Sequence, residues 1–135
     1  MSTKKNFLVF LVDDEIMLLN GLKHHLSATL ADNSEIKTFA TGEECIANLK
    51  LKPDVIFLDY YLDGADPEAE NGLETLKKIK DSDPETRVIM LSGQQGFGAA
   101  AQTLLKGAED YIIKGDQAFT RVEEMIKEFM QKEQA

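Results

Sequence analysis

Residues 53–64 read PDVIFLDYYLDG, and the apolar run Val55–Leu58 inside this stretch ends directly in an acid, Asp59. A short apolar run without polar alternation is typical of a strand that is buried on both faces of a parallel sheet. An ionised carboxylate beside a packed interior costs free energy unless a cation or hydrogen bonds compensate it. Asp59 therefore indicates a functional site at the end of a buried strand.

Similar short apolar runs precede and follow this one, and patterns of helical spacing lie between them. The predicted strands are Phe7–Val12, Ile36–Phe39, Val55–Leu58, Val88–Leu91 and Tyr111–Ile113. Apolar residues recur every three or four positions in five other stretches, of which the fourth is the alanine-rich segment Ala99–Leu105. The strand–helix alternation predicts an α/β fold with a doubly wound parallel sheet.

Two smaller patterns refine this prediction. Thr41 with Glu44 three residues later is a capping-box pattern that predicts the start of the second helix. Two adjacent histidines, His24 and His25, lie within the first helix pattern without supporting residues, so we expect them to be solvated helix residues.

Length and charge limit the class of protein. With 135 residues the chain fits one domain, 1–135, and its single cysteine, Cys45, excludes an internal disulfide and a multi-cysteine zinc site. The formal net charge of −9 opposes direct binding to nucleic acid. Acids interrupt the first apolar run and no segment is long enough to cross a bilayer, so we expect a cytoplasmic protein without membrane insertion.

Polar residues follow the predicted strands at the edge where ligands bind in doubly wound sheets. They are Asp13 and Asp14 after the first strand, Asp59 after the third, Ser92 after the fourth and Lys114 after the fifth. Carboxylates of unit charge about 4 Å apart repel by roughly 4 kcal/mol at an effective dielectric of about 20, which calls for a cation. Ligands that are all oxygen suit Mg²⁺, and a carboxylate beside Mg²⁺ can accept a phosphoryl group.

Four motifs in order, "LVDDE", "VIFLDYYL", "VIMLSG" and "DYIIKG", strongly resemble the receiver domain of two-component response regulators over nearly the whole chain. The resemblance implies a flavodoxin-like sheet of order 2-1-3-4-5 with five helices. It also implies that Asp59 accepts a phosphoryl group from a phosphohistidine, and that Asp13, Asp14, Asp59 and the carbonyl of Tyr61 hold Mg²⁺. The chain would be a signalling switch, and would catalyse only its own phosphorylation and dephosphorylation.

The remaining roles are implied by the same resemblance. Lys114 and Ser92 would contact the phosphoryl group, Ser92 and Tyr111 would carry the switch, and Tyr61 and Gln94 would tune the phosphorylated lifetime. The implied partners are a sensor histidine kinase or phosphotransfer protein in a phosphorelay, and an effector protein bound through the fourth helix, fifth strand and fifth helix. Homodimerisation on phosphorylation remains an option, and the sequence does not separate a stand-alone receiver from a domain of a longer regulator.

Two features depart from the family pattern. Gly115 stands where a proline usually follows the lysine, so we expect a trans Lys114–Gly115 bond or a mobile loop. The stretch Asp63–Gly72 is longer and more acidic than usual and is predicted to be a solvated loop.

Other interpretations compete with the receiver. The acids at 13–15 alone could be residues that favour a helix N-terminus. A phosphatase of the haloacid dehalogenase type also forms an aspartyl-phosphate, but it needs a second acid where Tyr61 stands. A receiver-like module that binds partners without phosphorylation is the third option, prompted by Gly115.

Overall fold

The computed structural model describes residues 6–30, 33–60, 72–93 and 106–134, and the side chains of residues 133 and 134 are not described. Its strands are β1 (Phe7–Val12), β2 (Ser34–Phe39), β3 (Val55–Asp59), β4 (Arg87–Ser92) and β5 (Asp110–Ile113). Its helices are α1 (Ile16–Thr29), α2 (Gly42–Ala47), a 3₁₀ turn (Leu49–Leu51), α3 (Gly72–Ser82) and a C-terminal helix (Ala118–Gln134).

The strands form one parallel sheet in the order β2-β1-β3-β4-β5, which confirms the predicted topology. All five predicted strands are present, and four of them are one or two residues longer than the apolar runs. The extensions add polar residues at the strand ends, such as Ser34 and Asp59, because backbone pairing continues one or two residues beyond the apolar runs.

Alternate residues of β1 face the two sides of the sheet, and every one of them is buried. Phe7, Val9 and Leu11 join the core that α1 and the C-terminal helix cover. Leu8, Phe10 and Val12 join the core that α2 and α3 cover. This explains the continuous apolar runs, since a strand covered on both faces has no solvent side on which polar residues would be placed.

The helices follow the predicted patterns within the described part of the chain. The hydroxyl of Thr41 accepts a hydrogen bond from the Glu44 N–H at 3.1 Å, which confirms the predicted cap of α2. The predicted fourth helix, Ala99–Leu105, lies outside the described residues, so the structure describes four α-helices where five were expected.

Two helix residues also bear on the predictions. His24 is exposed on α1, as expected, and His25 is partly exposed. The Nε2 of His25 lies 2.8 Å from Glu123 Oε1 on the C-terminal helix, which packs against α1. Cys45 is a buried free cysteine on α2, as expected of an ordinary helix residue. In the described ranges, no helix combines the length and apolar character that crossing a membrane requires.

Candidate functional site

The register of the sheet brings the predicted site residues to one edge. Val12 of β1 pairs with Leu58 of β3, so Asp13 and Asp59 come at the same level on neighbouring strands. On the other side Ser92 of β4 pairs with Ile113, and the N–H of the next residue, Lys114, donates to the carbonyl oxygen of Ser92 at 2.8 Å. The carboxyl edge therefore collects the acids, the hydroxyl and the lysine that the sequence placed at strand ends.

Carboxylate oxygens of Asp13, Asp14 and Asp59 lie within 4.8 Å of one another. The side chains of Asp13 and Asp59 are only 1% and 4% exposed, whereas Asp14 is more open to solvent. The buried Oδ2 of Asp13 has the Lys114 ammonium 2.8 Å away as its ion-pair partner. Three carboxylates this close together, two of them buried, form an all-oxygen set that fits Mg²⁺.

The backbone after β1 holds Asp13 in place. Its Oδ1 accepts a hydrogen bond from the Glu15 N–H at 2.9 Å, which fixes the turn that leads into α1. Burial raises the pKa of Asp13 above its ordinary value, and the hydrogen bonds from Lys114 and from the Glu15 backbone oppose this shift. The pKa of Asp13 is raised on balance, which indicates that Lys114 does not fully compensate the negative charge of this carboxylate. A bound cation would supply the missing positive charge.

Lys114 lies among three acids. Its Nζ is 2.8 Å from Asp13 Oδ2, 2.9 Å from Glu15 Oε1 and 3.3 Å from Asp59 Oδ1. Burial lowers the pKa of Lys114, but the hydrogen bonds to Asp13 and Glu15 outweigh burial and the net pKa is raised. The lysine is therefore a permanent cation that can pair with an anionic group on Asp59.

Two further predicted residues are within the described ranges. Ser92 is fully buried at the end of β4. Tyr111 on β5 is partly buried and packs against the core on the α2 and α3 side of the sheet. Tyr61 and Gln94, the predicted lifetime-tuning pair, lie outside the described residues, so the backbone ligand assigned to Tyr61 does as well.

The Lys114–Gly115 peptide bond is trans, as expected when glycine replaces proline, and none of the described peptide bonds is cis. A Cβ placed on Gly115 would meet no atom within 4 Å. The position is therefore not sterically reserved for glycine. Two backbone hydrogen bonds hold the loop, one from the Lys114 N–H to the Ser92 carbonyl oxygen and one from the Ala118 N–H to the Gly115 carbonyl oxygen.

Gly72 shows where one sequence prediction was wrong. The sequence pattern predicts that Gly72 lies in a solvated loop, but Gly72 is buried at the start of α3. Its N–H donates to the carbonyl oxygen of Tyr60 at 3.1 Å. A Cβ there would lie 2.8 Å from Tyr60 Cα and against the carbonyl of Asp59. The remaining residues of that predicted loop, 63–71, lie outside the described ranges.

The contact between Glu15 and Lys114 was also missed from the sequence. Only the position of Glu15 directly after Asp13 and Asp14 could have suggested it, because the two partners are 99 residues apart in the chain. The strand order alone does not specify whether a side chain after β1 reaches one after β5.

Known proteins share this sequence pattern and fold. A family model described as the response regulator receiver domain matches residues 9–127. The chain is 30% identical over 123 residues to the chemotaxis protein CheY of Listeria monocytogenes, covering 88% of this chain and 95% of that protein. It is also 30% identical over 115 residues to the nitrate/nitrite response regulator protein NarL of Escherichia coli, covering 84% of this chain and 50% of NarL.

Among solved structures, a chain of the CheX–CheY–BeF3–Mg²⁺ complex from Borrelia burgdorferi is similar with a TM-score of 0.75 and 26% identity. The similarity covers 93% of this chain and 90% of that chain. The match to the family model runs from β1 into the C-terminal helix and so includes every strand of the sheet. The chain therefore belongs to the response regulator receiver domain family of two-component signalling systems.

Proposed function

We propose that this chain is a phosphorylation-dependent switch whose phosphoacceptor is Asp59. The observation that carries the proposal is the position of the Asp59 carboxylate, which is buried at the end of β3 with Asp13, Asp14 and Lys114 around it. Burying the Asp59 carboxylate costs free energy, since the carboxylates of Asp13 and Asp14 lie within 4.8 Å of it. A nucleophile that is used with Mg²⁺ gives this arrangement a purpose.

In the proposed reaction an oxygen of Asp59 attacks the phosphorus of a phosphohistidine. A P–O bond forms, the P–N bond breaks, and the histidine nitrogen keeps the electron pair. Mg²⁺ held by Asp13, Asp14, Asp59 and the proposed carbonyl of Tyr61 would neutralise charge on the phosphoryl oxygens. The protein contributes position and charge, because phosphoryl transfer needs little other covalent chemistry from it.

The neighbouring side chains receive the new dianion. Lys114 would pair with one phosphoryl oxygen, and the hydroxyl of Ser92 would donate a hydrogen bond to another. The inward movement of Ser92 opens space toward Tyr111, which is the proposed route to the surface. Hydrolysis of the acyl phosphate resets the switch, and Tyr61 and Gln94 are the proposed residues that set its rate.

The proposed partners follow from this chemistry. A sensor histidine kinase or phosphotransfer protein would supply the phosphoryl group, and an effector would bind the predicted fourth helix, β5 and the C-terminal helix. The complex of CheX with CheY, BeF3 and Mg²⁺ supports such a role, since it is an assembly of two proteins with both small groups. A single receiver over 1–135, homodimerisation on phosphorylation and a cytoplasmic location remain predictions.

The test is the intact mass of the protein after incubation with acetyl phosphate and Mg²⁺. The native protein is expected to gain one phosphoryl group, and to gain none in EDTA or when Asp59 is replaced by Asn. Equal gain by Asp59→Asn would show that another residue is the acceptor.

A receiver-like module that acts without phosphorylation is the second candidate. It is favoured by the contacts of Lys114, which is nearer to Asp13 and Glu15 than to Asp59. Binding of Mg²⁺ without any gain of mass from acetyl phosphate would favour this candidate. The haloacid dehalogenase alternative loses support from the match to the receiver family over residues 9–127.

A further inference from the structure

The Lys114 ammonium has three N–H donors and three carboxylate neighbours, Asp13, Glu15 and Asp59. The distances from Nζ show that the ammonium lies closer to Asp13 and Glu15, at 2.8 and 2.9 Å, than to Asp59, at 3.3 Å. A phosphoryl group on Asp59 brings additional anionic oxygens that need a donor. For Lys114 to turn toward them, it must loosen one of the two closer pairs.

Burial decides which pair is released. The side chain of Asp13 is 1% exposed, so water cannot replace the lysine ammonium as a partner of its carboxylate. The side chain of Glu15 is 62% exposed, and water can solvate its carboxylate when Lys114 leaves. Glu15 is therefore the partner that Lys114 gives up at the lower cost.

The backbone of Glu15 is fixed while its side chain has no role in capping. Its N–H donates to Asp13 Oδ1, and its carbonyl oxygen accepts the N–H of Leu19 at 3.0 Å. It occupies the N-cap of α1, but its side chain makes no capping hydrogen bond. A residue at that position normally uses a short polar side chain to cap the helix. The longer Glu15 side chain reaches Lys114 instead, from a rigid base.

We propose that Glu15 is a positioning residue that competes with the phosphorylated Asp59 for the Lys114 ammonium and so limits the stability of the phosphorylated form. The inference rests on the proposed function of Asp59. Glu15 holds the lysine in the resting arrangement without taking part in phosphoryl transfer itself.

The test measures the affinity of the protein for beryllium fluoride, a phosphoryl analogue, at saturating Mg²⁺ by isothermal titration calorimetry. Replacing Glu15 by Gln is expected to tighten binding about two- to five-fold, the range of an exposed ion pair. Asp116→Asn is the matched control, since it removes one exposed acid two residues after Lys114. The control is expected to change the affinity by less than the Glu15 variant does.

Glu15→Asp separates reach from charge. It keeps the negative charge but shortens the side chain by one methylene, so the 2.9 Å contact with Lys114 is lost and binding is expected to tighten as in Glu15→Gln. An unchanged affinity in Glu15→Asp, or equal effects of Glu15→Gln and Asp116→Asn, would overturn the role of Glu15 and leave the proposed function intact. Failure of the native protein to bind beryllium fluoride with Mg²⁺ would overturn both.

Discussion

Asp13 and Asp59 are buried acids that share a single nearby lysine among the described residues, and Asp14 and Glu15 add further negative charge at the same edge. Lys114 cannot balance all of these charges, which is why burial leaves the pKa of Asp13 raised. The positions of Asp13, Asp59 and Lys114 could be predicted from the sequence because each lies at the end of an apolar run. The Glu15 contact could not, because it depends on side-chain reach across the two strands between β1 and β5.

One prediction concerns the side chain of Ser92. Its hydroxyl is proposed to bond the phosphoryl group, so Ser92→Ala should weaken beryllium fluoride binding at least about ten-fold, as for a lost hydrogen bond to a charged group. Calorimetry should show an unchanged affinity for Mg²⁺ alone, because Ser92 is not among the proposed ligands. Ser82→Ala, at an exposed position at the end of α3, is the control. An equal loss of Mg²⁺ affinity would assign Ser92 to the metal site instead.

Between elements, the first residue of α3 packs on the backbone that carries the phosphoacceptor. Gly72 lies against Asp59 and Tyr60, and no side chain fits between the two backbones. The sequence predicted the strands and most helix faces correctly because their apolar periodicity reflects burial. It misplaced Gly72 because glycine beside acids and proline is typical of loops, and composition contains no information about a close approach of two backbones.

Gly72→Ala tests this contact. The added methyl group must displace backbone at Asp59 and Tyr60, so the free energy of unfolding should fall by about 1–3 kcal/mol. Gly93→Ala is the matched control, since a Cβ at Gly93 meets nothing within 4 Å. Its free energy of unfolding in urea should stay within about 0.5 kcal/mol of the native value. Equal stabilities of the two variants would show that the backbone at Asp59 can move away.

A polar contact joins α1 to the C-terminal helix through His25 and Glu123, and Lys127 Nζ lies 2.7 Å from the other oxygen of Glu123. The hydrogen bond from Lys127, followed by the one with His25, lowers the pKa of Glu123 below its ordinary 4.5. A lowered pKa means that ionised Glu123 stabilises the fold above pH 4.5, and that this contribution is lost as the pH falls through the folded-state pKa.

Glu123→Gln should therefore lower the melting temperature near neutral pH, and its difference from the native protein should shrink below pH 4.5 and vanish once the pH is below the folded-state pKa. Thermal unfolding followed by circular dichroism at a series of pH values measures this. Glu128→Gln, at an exposed position on the same helix, should show no such pH dependence. A difference between native protein and Glu123→Gln that persists in acid would mean that packing, and not charge, joins the helices.

For the whole molecule, two cores on opposite faces of one sheet hold the strand ends in register. This arrangement brings Asp13, Asp14 and Asp59 together at the acidic edge, where their mutual repulsion costs free energy. Mg²⁺ bound at this edge, as proposed, would link its binding to folding, because a cation that binds only the folded site stabilises the entire domain. Strand order and core composition were predictable from the sequence. The strength of the proposed linkage between Mg²⁺ binding and folding could not be predicted, because it depends on the distances between carboxylates that are far apart in the chain.

Mg²⁺ at about 100 times its dissociation constant should raise the free energy of unfolding by about 2.7 kcal/mol in the native protein. Asp13→Asn should lose most of this gain, because Asp13 is one of the proposed Mg²⁺ ligands. Asp81→Asn, an exposed change on α3, should keep the full Mg²⁺ effect. Stabilisation of Asp13→Asn equal to that of the native protein would place the metal elsewhere.

Asp59 is proposed to accept the phosphoryl group, and identifying the residue that carries the acyl phosphate tests this directly. The native protein would be phosphorylated with acetyl phosphate and Mg²⁺, reduced with borohydride to convert the acyl phosphate into homoserine, and digested for peptide sequencing by mass spectrometry. Homoserine is expected at position 59. Homoserine at position 13 or 14, or no reduced residue in a protein that binds Mg²⁺, would contradict the proposal.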